Sequence, residues 1–384
     1  MRERQKDTRG FALVIAVFAL VLLAVIVAGG YFTATQEFQI GRSMRTLTTS
    51  FYSGEAGVRD VLAEWDPAVY AKLAIDDTIR FGPTRVSGGG EYSGLVTRVG
   101  APADSAKRYF YIEAAGRPGR AGQGERRQAA MVSAWFPNIC CDATVKVVGD
   151  VIFSPGGSSE IINGDNMDPP PGWSSSVCAG LPTDSVPGAA ISSTTTISKP
   201  TKIHGSPMDF YVDGSLTAAN VLDFGDYTYA DLTSRADHEF TGDYVMYDSQ
   251  PTLDGSGECD ESNPLNWGDP SNENHPCFDF FPVVHVSGNL TLEGSGAAQG
   301  ILLVDGALEI HGPYDFYGVA IASDSVQMSG SAYVYGGAVI RNNLHYTGPN
   351  PRFVMSQCAV WRALRLSSLT RPELVSPRAW VELF

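Results

Sequence analysis

The chain has 384 residues, of which 43% are hydrophobic and 18% charged, and a formal net charge of -15. That balance excludes an intrinsically disordered chain, and the length exceeds what one stem and one small domain need, so one large or two modest globular units are implied. The negative field argues against nucleic acid as a partner and against attraction to anionic lipid.

Arg2, Arg4, Lys6 and Arg9, set against Glu3 and Asp7, give a basic opening at residues 1–10. It leads into an apolar segment, Phe11 through Leu13, Val14, Phe18, Leu22 and Val25 to Val27, that holds no charged residue. Continued to Phe32, this segment passes the roughly 20 residues that span about 30 Å of hydrocarbon, and a lone span must be helical to satisfy its own backbone. The basic excess predicts a single pass with the N-terminus cytoplasmic and the rest outside. A secretory signal would be shorter and would close on a small-residue cleavage site, whereas here the apolar run flows into more helix.

Ile40, Met44, Leu47, Phe51, Glu55, Val58 and Leu62 mark the packing face of that continuation, apolar except for Glu55, and Pro67 is its natural stop. Residues 11–65 thus predict one stem about 80 Å long at 1.5 Å per residue. Only the first half fits a bilayer. The outer half has to bury its stripe against the chain's own globular part or against neighbouring helices. Gly29-Gly30, at the outer end of the span, is a candidate hinge; tolerance of small residues in membrane helices is the plainer reading.

The Arg9-Gly10-Phe11 junction, the apolar helix and Phe51-Tyr52-Ser53-Gly54-Glu55-Ala56-Gly57-Val58 together resemble the N-terminal region of type IV pilin-like proteins, most closely the PilX-type minor pilins, over about 50 residues. The resemblance implies cleavage between Gly10 and Phe11 by prepilin peptidase and N-methylation of Phe11. It also implies a helix laid across a small sheet, with other pilins and an inner-membrane assembly platform as partners. The protein would sit in the inner membrane, facing the periplasm, and then in a cell-surface filament of a type IV pilus or type II secretion-like system. The fifth residue after the cut, usually glutamate in major pilins, is Ile15. That departure suits a minor pilin or pseudopilin-like subunit at a tip or priming position.

Beyond the stem the expected class is α+β, mainly β. Residues 66–140 read as an antiparallel pilin-like meander, with strands near Thr84 to Val86, Tyr92 to Val99, Arg108 to Ala114 and Ala129 to Trp135. Arg117, Arg120, Arg126 and Arg127 cluster in one Gly-rich loop; a solvated hairpin tip is favoured over a DNA contact. Cys140, Cys141, Cys178, Cys259, Cys277 and Cys358 make disulfides plausible outside the cytoplasm, and Cys259 with Cys277 is the first choice because both lie in one turn-rich loop. No zinc spacing occurs, so no metal centre is predicted. Tyr227 to Asp237 reads as a short helix, and residues 224–280 as inserted loops. The carboxylates Asp254, Glu258, Asp260, Glu261, Asp269 and Glu273 are dense enough for Ca²⁺ but match no EF-hand or RTX pattern, so a solvated loop is preferred and no cofactor is assigned.

Residues 141–353 are expected to form the head, and the last third of the chain carries the strongest internal signal, a period of eighteen. Val283, Ile301 and Val319 keep that step, as do His285, Leu303, Ile321 and Val339, and Leu290, Leu308, Val326 and Leu344, while Gly294, Gly312, Gly330 and Gly348 hold the same register. The expectation is a β-solenoid, right-handed by preference, with alternate side chains inside and irregular coils from about residue 145. Residues 354–384 are expected to cap its end. His285, Asp305, Glu309, His311, Asp315 and Asp324 form no ladder of paired carboxylates and no nucleophile motif, so an enzyme is not expected. The competing class is a membrane-anchored adhesin or carbohydrate-binding solenoid with a surface ligand.

Overall fold

The computed structural model describes residues 9–87, 89–100, 107–119, 124–136, 139–154, 161–225, 228–348, 350–376 and 380–383. The basic side chains of residues 1–8, Arg120 and Tyr227 lie outside that set.

Helix α1 (Arg9–Ala63) is continuous, as the absence of proline from Phe11 to Trp65 allows. Pro67 does more than stop it. Asp66 Oδ1 accepts the Val69 N–H at 3.3 Å, and Pro67 opens the short helix α2 (Pro67–Tyr70) at the position where a missing N–H costs nothing. Strands β1 (Thr78–Arg85), β2 (Gly90–Gly100), β3 (Lys107–Pro118) and β4 (Arg126–Trp135) then pair antiparallel in chain order. Phe110, Ile112 and Ala114 alternate along β3 and, with Val96, Ala130 and Val132, share one buried cluster with Val58 and Val61 of α1.

The next strands are short: β5 (Val145–Val147), β6 (Val151–Phe153), β7 (Ile162–Asn163), β8 (Ala189–Ser192), β9 (Ile203–His204) and β10 (Phe210–Asp213). A single turn of helix, α3 (Tyr229–Thr233), is closed by a reciprocal cap between Thr228 and Asp231. After β11 (His238–Phe240) and β12 (Tyr244–Met246) come the regular coils. Their strands β13 (Val283–Val286), β15 (Ala297–Val304), β17 (Asp315–Ala322) and β19 (Tyr333–Ile340) lie in one sheet. Those between, β14 (Leu290–Glu293), β16 (Leu308–His311), β18 (Val326–Ser329) and β20 (Leu344–Thr347), lie in a second. All pair in parallel at the eighteen-residue step, Ile301 opposite Val319 and Leu308 opposite Val326. Gly318 sits in mid-strand at φ +139°, and a Cβ there would strike the Gly300 carbonyl of the adjacent coil. Only glycine fits that column.

Two of the repeating series face the other way from the expectation. Leu290, Leu308, Val326 and Leu344 meet Val284, Leu302, Ala320 and Ala338 in the interior. Val283, Ile301 and Val319, with Leu303, Ile321 and Val339, belong to a separate cluster outside the long strands, with Cys358, Ala359 and Ala363. An apolar outer face needs a cover, and helix α4 (Gln357–Leu366) supplies it against β15, β17 and β19. The helix therefore lies on the flank of the coils and not on their end.

The cap expected from residues 354–384 is corrected further by the last strands. Beyond β21 (Arg352–Val354) and α4, β22 (Glu373–Leu374) and β23 (Trp380–Leu383) both pair with β4, Glu373 opposite Ser133 and Val381 opposite Ala129. The coils are thus inserted between neighbouring strands of the stem-bearing sheet. Their stacking order also departs from chain order: β5 pairs with β19 and β6 with β20, so the first coil stacks on the last regular one. The chain enters mid-stack, runs out to β10, crosses to β11 at the opposite end and climbs back. At that opposite end the acidic loop folds over the coil, with Trp267 fully buried and the Gln299 amide donating to the Phe278 and Phe280 carbonyls, each at 2.8 Å.

Candidate functional site: the stem and its seat

Helix α1 includes one segment long and apolar enough to cross a membrane, and none of it is covered by the rest of the chain. Gly10 and Phe11 lie in its first turn. Leu13, Val14, Phe18, Leu22 and Val25 are all exposed. The predicted packing stripe divides in two. Ile40 and Met44 remain 61% and 64% exposed, Leu47, Phe51, Glu55 and Leu62 are half-buried, and Val58 is fully buried.

Beside Val58 and Val61, the contact is made by small residues that hydrophobic periodicity does not score. Ser50, Ser53, Gly54, Gly57, Val58 and Val61 form the buried face. A Cβ on Gly57 would lie 2.6 Å from the Tyr92 ring, and one on Gly54 would be 3.2 Å from Gln128 Cγ and 3.3 Å from the Ala114 carbonyl. On the sheet side a Cβ at Gly116 would collide with the Ser50 carbonyl and the Gly54 backbone. Helix and sheet thus approach backbone to backbone, which explains physically the Ser53-Gly54-Glu55-Ala56-Gly57 run.

Polar contacts fix the helix end. The Tyr92 hydroxyl donates to the Asp60 carboxylate, and burial followed by that carboxylate pushes the phenol pKa up. Arg59 pairs with Glu55 at 2.6 Å, one helical turn away. Arg98, only 2% exposed, donates to the Leu73 carbonyl at 2.7 Å and anchors the turn after α2. Nothing in the strand pattern singled it out. At the hairpin tip Arg117 and Arg127 both hold Glu125, each through Nε at 2.9 Å, and keep its carboxyl below the usual range; Arg126 meets Glu382 at 3.2 Å. These three arginines are paired with carboxylates.

The cysteines are joined as Cys140–Cys141, Cys178–Cys358 and Cys259–Cys277. Among the described residues one cluster has metal-ligand proximity, Asp168 with Cys178 and Cys358, but both thiols are consumed in the disulfide. The acidic loop does not converge on a cation: Asp254 accepts from Ser256 and Glu258, and Asp260 from Ser262, each closing its own turn. On the coils His285 comes within 3.3 Å of Asp305, and His311 within 3.0 Å of Glu309 and 2.7 Å of Ser329. The eighteen-residue step sets His311 beside Ser329 of the adjacent coil, whereas Glu309 and His311 lie two residues apart on β16.

No protein-family model matches the chain, and no curated protein does. Among solved structures it is similar to the competence-associated pilin ComZ from Thermus thermophilus, at 11% identity and a TM-score of 0.27, covering 88% of this chain and 97% of that one. A likeness this loose settles neither the fold nor the family. The stem, its seat and the sequence junction have to carry the functional reading themselves.

Proposed function

We propose that the chain is a minor pilin or pseudopilin-like structural subunit, with a PilX-type stem and a β-solenoid head of right-handed coils. The observation that carries this reading is the division of α1: its apolar first half and the Ile40 and Met44 positions are left uncovered, while its last turns are seated on the sheet through Ser53, Gly54 and Gly57. Such a stem is stored in the inner membrane and then drawn into a bundle of like stems, where helix contacts replace lipid. Uncovered apolar positions beyond the span are what such a bundle would use. Gly29-Gly30 lets the stem bend on transfer, and the Thr33 hydroxyl bond to the Gly29 carbonyl at 2.9 Å favours a bend there. Ile15 and the bulk of the inserted head favour a tip or priming position over repetition along a shaft. In this reading the head catalyses no reaction.

The test is the mass of the mature N-terminal peptide, taken from cells with and without prepilin peptidase. A methylated Phe11 start that appears only with the peptidase supports the proposal. Retention of Met1 to Gly10 in cells with active peptidase overturns it.

A further inference from the structure

We propose that the Cys140–Cys141 bond is a redox modification site, opened by a small dithiol that enters the cleft between the stem-bearing sheet and the inserted coils. The cleft has a volume of about 950 Å³, in the range of small-molecule sites, with α2 and the start of β3 on one side and α4 on the other, and both cysteines line it. They sit on the stretch from β4 to β5, one of the two crossings that join sheet and coils.

The cysteines of this bond are adjacent in sequence, whereas the other two pairs lie 18 and 180 residues apart. A disulfide stabilises a fold by closing a loop of the unfolded chain, so this one contributes least to stability. Both of its cysteines are half-buried, while each other bond has one fully buried member, Cys277 or Cys358. Exchange needs an accessible sulfur and so falls on Cys140–Cys141 first. The bond also has a seat on the coils. Ile301 and Val319 share an outward column with Gly337, and a Cβ on Gly337 would lie 2.6 Å from Cys141 Sγ and 3.0 Å from Cys140 Sγ. The two sulfurs fill the notch that glycine leaves. Once the bond is cut they must keep van der Waals separation, the notch is overfilled, and the crossing loses its hold on β19. Asp142, one residue on, stays tied to Lys146 at 3.1 Å and to the Tyr211 hydroxyl at 2.6 Å, which confines the release to the sheet side.

In the exchange a thiolate of the dithiol attacks one sulfur and displaces the other as a thiolate. The reagent's second thiolate attacks the mixed disulfide, closes its own ring and frees the first cysteine. Two electrons pass to the protein, and the two new thiolates take up the two protons the dithiol has lost. A monothiol does less, because the neighbouring cysteine re-forms the bond and expels it.

This site is independent of the assembly role. Full-length protein in neutral detergent is treated with dithiothreitol or with glutathione at equal thiol concentration, alkylated without unfolding and mapped by peptide mass. Dithiothreitol should label Cys140 and Cys141 at least tenfold faster than any other cysteine, and at least tenfold faster than glutathione does. Hydrogen exchange across residues 139–143 should then quicken at least tenfold while β15, β17 and β19 stay as before. Cys140→Ser with Cys141→Ser should match the reduced protein, ignore the reagent and melt with the parent; if that variant fails to fold, the reduced parent alone is held to the same criteria. Labelling of another pair first, equal opening by glutathione, unchanged exchange after reduction, or a melting temperature that falls as for an ordinary brace overturns the proposal.

Discussion

Gly116 has no room for a methyl group, because the carbonyl of Ser50 and the backbone of Gly54 already fill the space where it would go. Gly116→Ala must push helix from sheet, an overpacking that costs about 1–3 kcal/mol. The sheet and stem should melt about 2–4 °C lower per kcal/mol lost, read by thermal circular dichroism, and an unchanged melt would show that the helix is not seated there. A second residue sets a pH dependence. Burial pushes the Asp315 carboxyl up to about 6 from an ordinary 3.8. A raised acid stabilises the fold fully below its unfolded value, and that contribution is lost as pH rises through the folded one. The stability due to Asp315 should therefore fall between about pH 4 and 6 and then stay flat. Asp315→Asn should remove the slope and stabilise the protein above pH 6 by about 1 kcal/mol, after allowance for solvent screening of a half-exposed group. Urea unfolding at pH 4 and pH 7 measures both, and a slope that persists in the variant would assign it to another group. Neither role was legible in the sequence, although Asp315 stood among the coil carboxylates: the demand for glycine comes from the partner helix, and the burial of Asp315 from stacked coils.

Stacked strands were legible because the same eighteen-residue step recurs in apolar and glycine columns alike, and chance seldom aligns both. Which face each column takes was not legible, since strands apolar on both sides read the same whether they meet a second sheet or a helix such as α4. The acidic loop before β13 shows the same limit. Its composition suggests a solvated or cation-binding segment, yet Trp267 is fully buried beneath it, and it closes the end of the coils. With little apolar mass of its own, the loop depends on Cys259–Cys277, whose eighteen-residue separation is worth about 3 kcal/mol of chain entropy in the simplest account. Cys259→Ser with Cys277→Ser should expose Trp267 to acrylamide quenching and open the segment around Leu253 to protease while β15, β17 and β19 stay intact. Quenching equal to that of the parent would mean the aromatic anchor suffices without the bond.

Across the whole molecule the chain closes the sheet it began with. Val381 and Glu382 line the same groove as Phe51 and Glu55 of the stem, and Glu382 holds Arg126 at 3.2 Å, so the tail braces the helix as well as pairing with β4. Stem and tail both end on this sheet, and the coils loop out between β4 and β22 with an interior core that shares no residue with the sheet's. Separate cores joined by two crossings behave as separable folding units. Deletion of residues 373–384 removes β22 and β23, leaves the β4 edge unpaired beside the stem and frees the Met131 carbonyl that accepts from Val375 at 3.1 Å. Hydrogen exchange should then accelerate in β4 and in the last turns of α1, by at least tenfold, while β15 to β20 exchange as before. Acceleration throughout the coils would instead mean that the cleft between the two units is a tight interface and that the molecule opens as one. Protection retained in β4 would mean that α1 alone holds the sheet, and that the tail's place beside the stem contributes nothing to seating it.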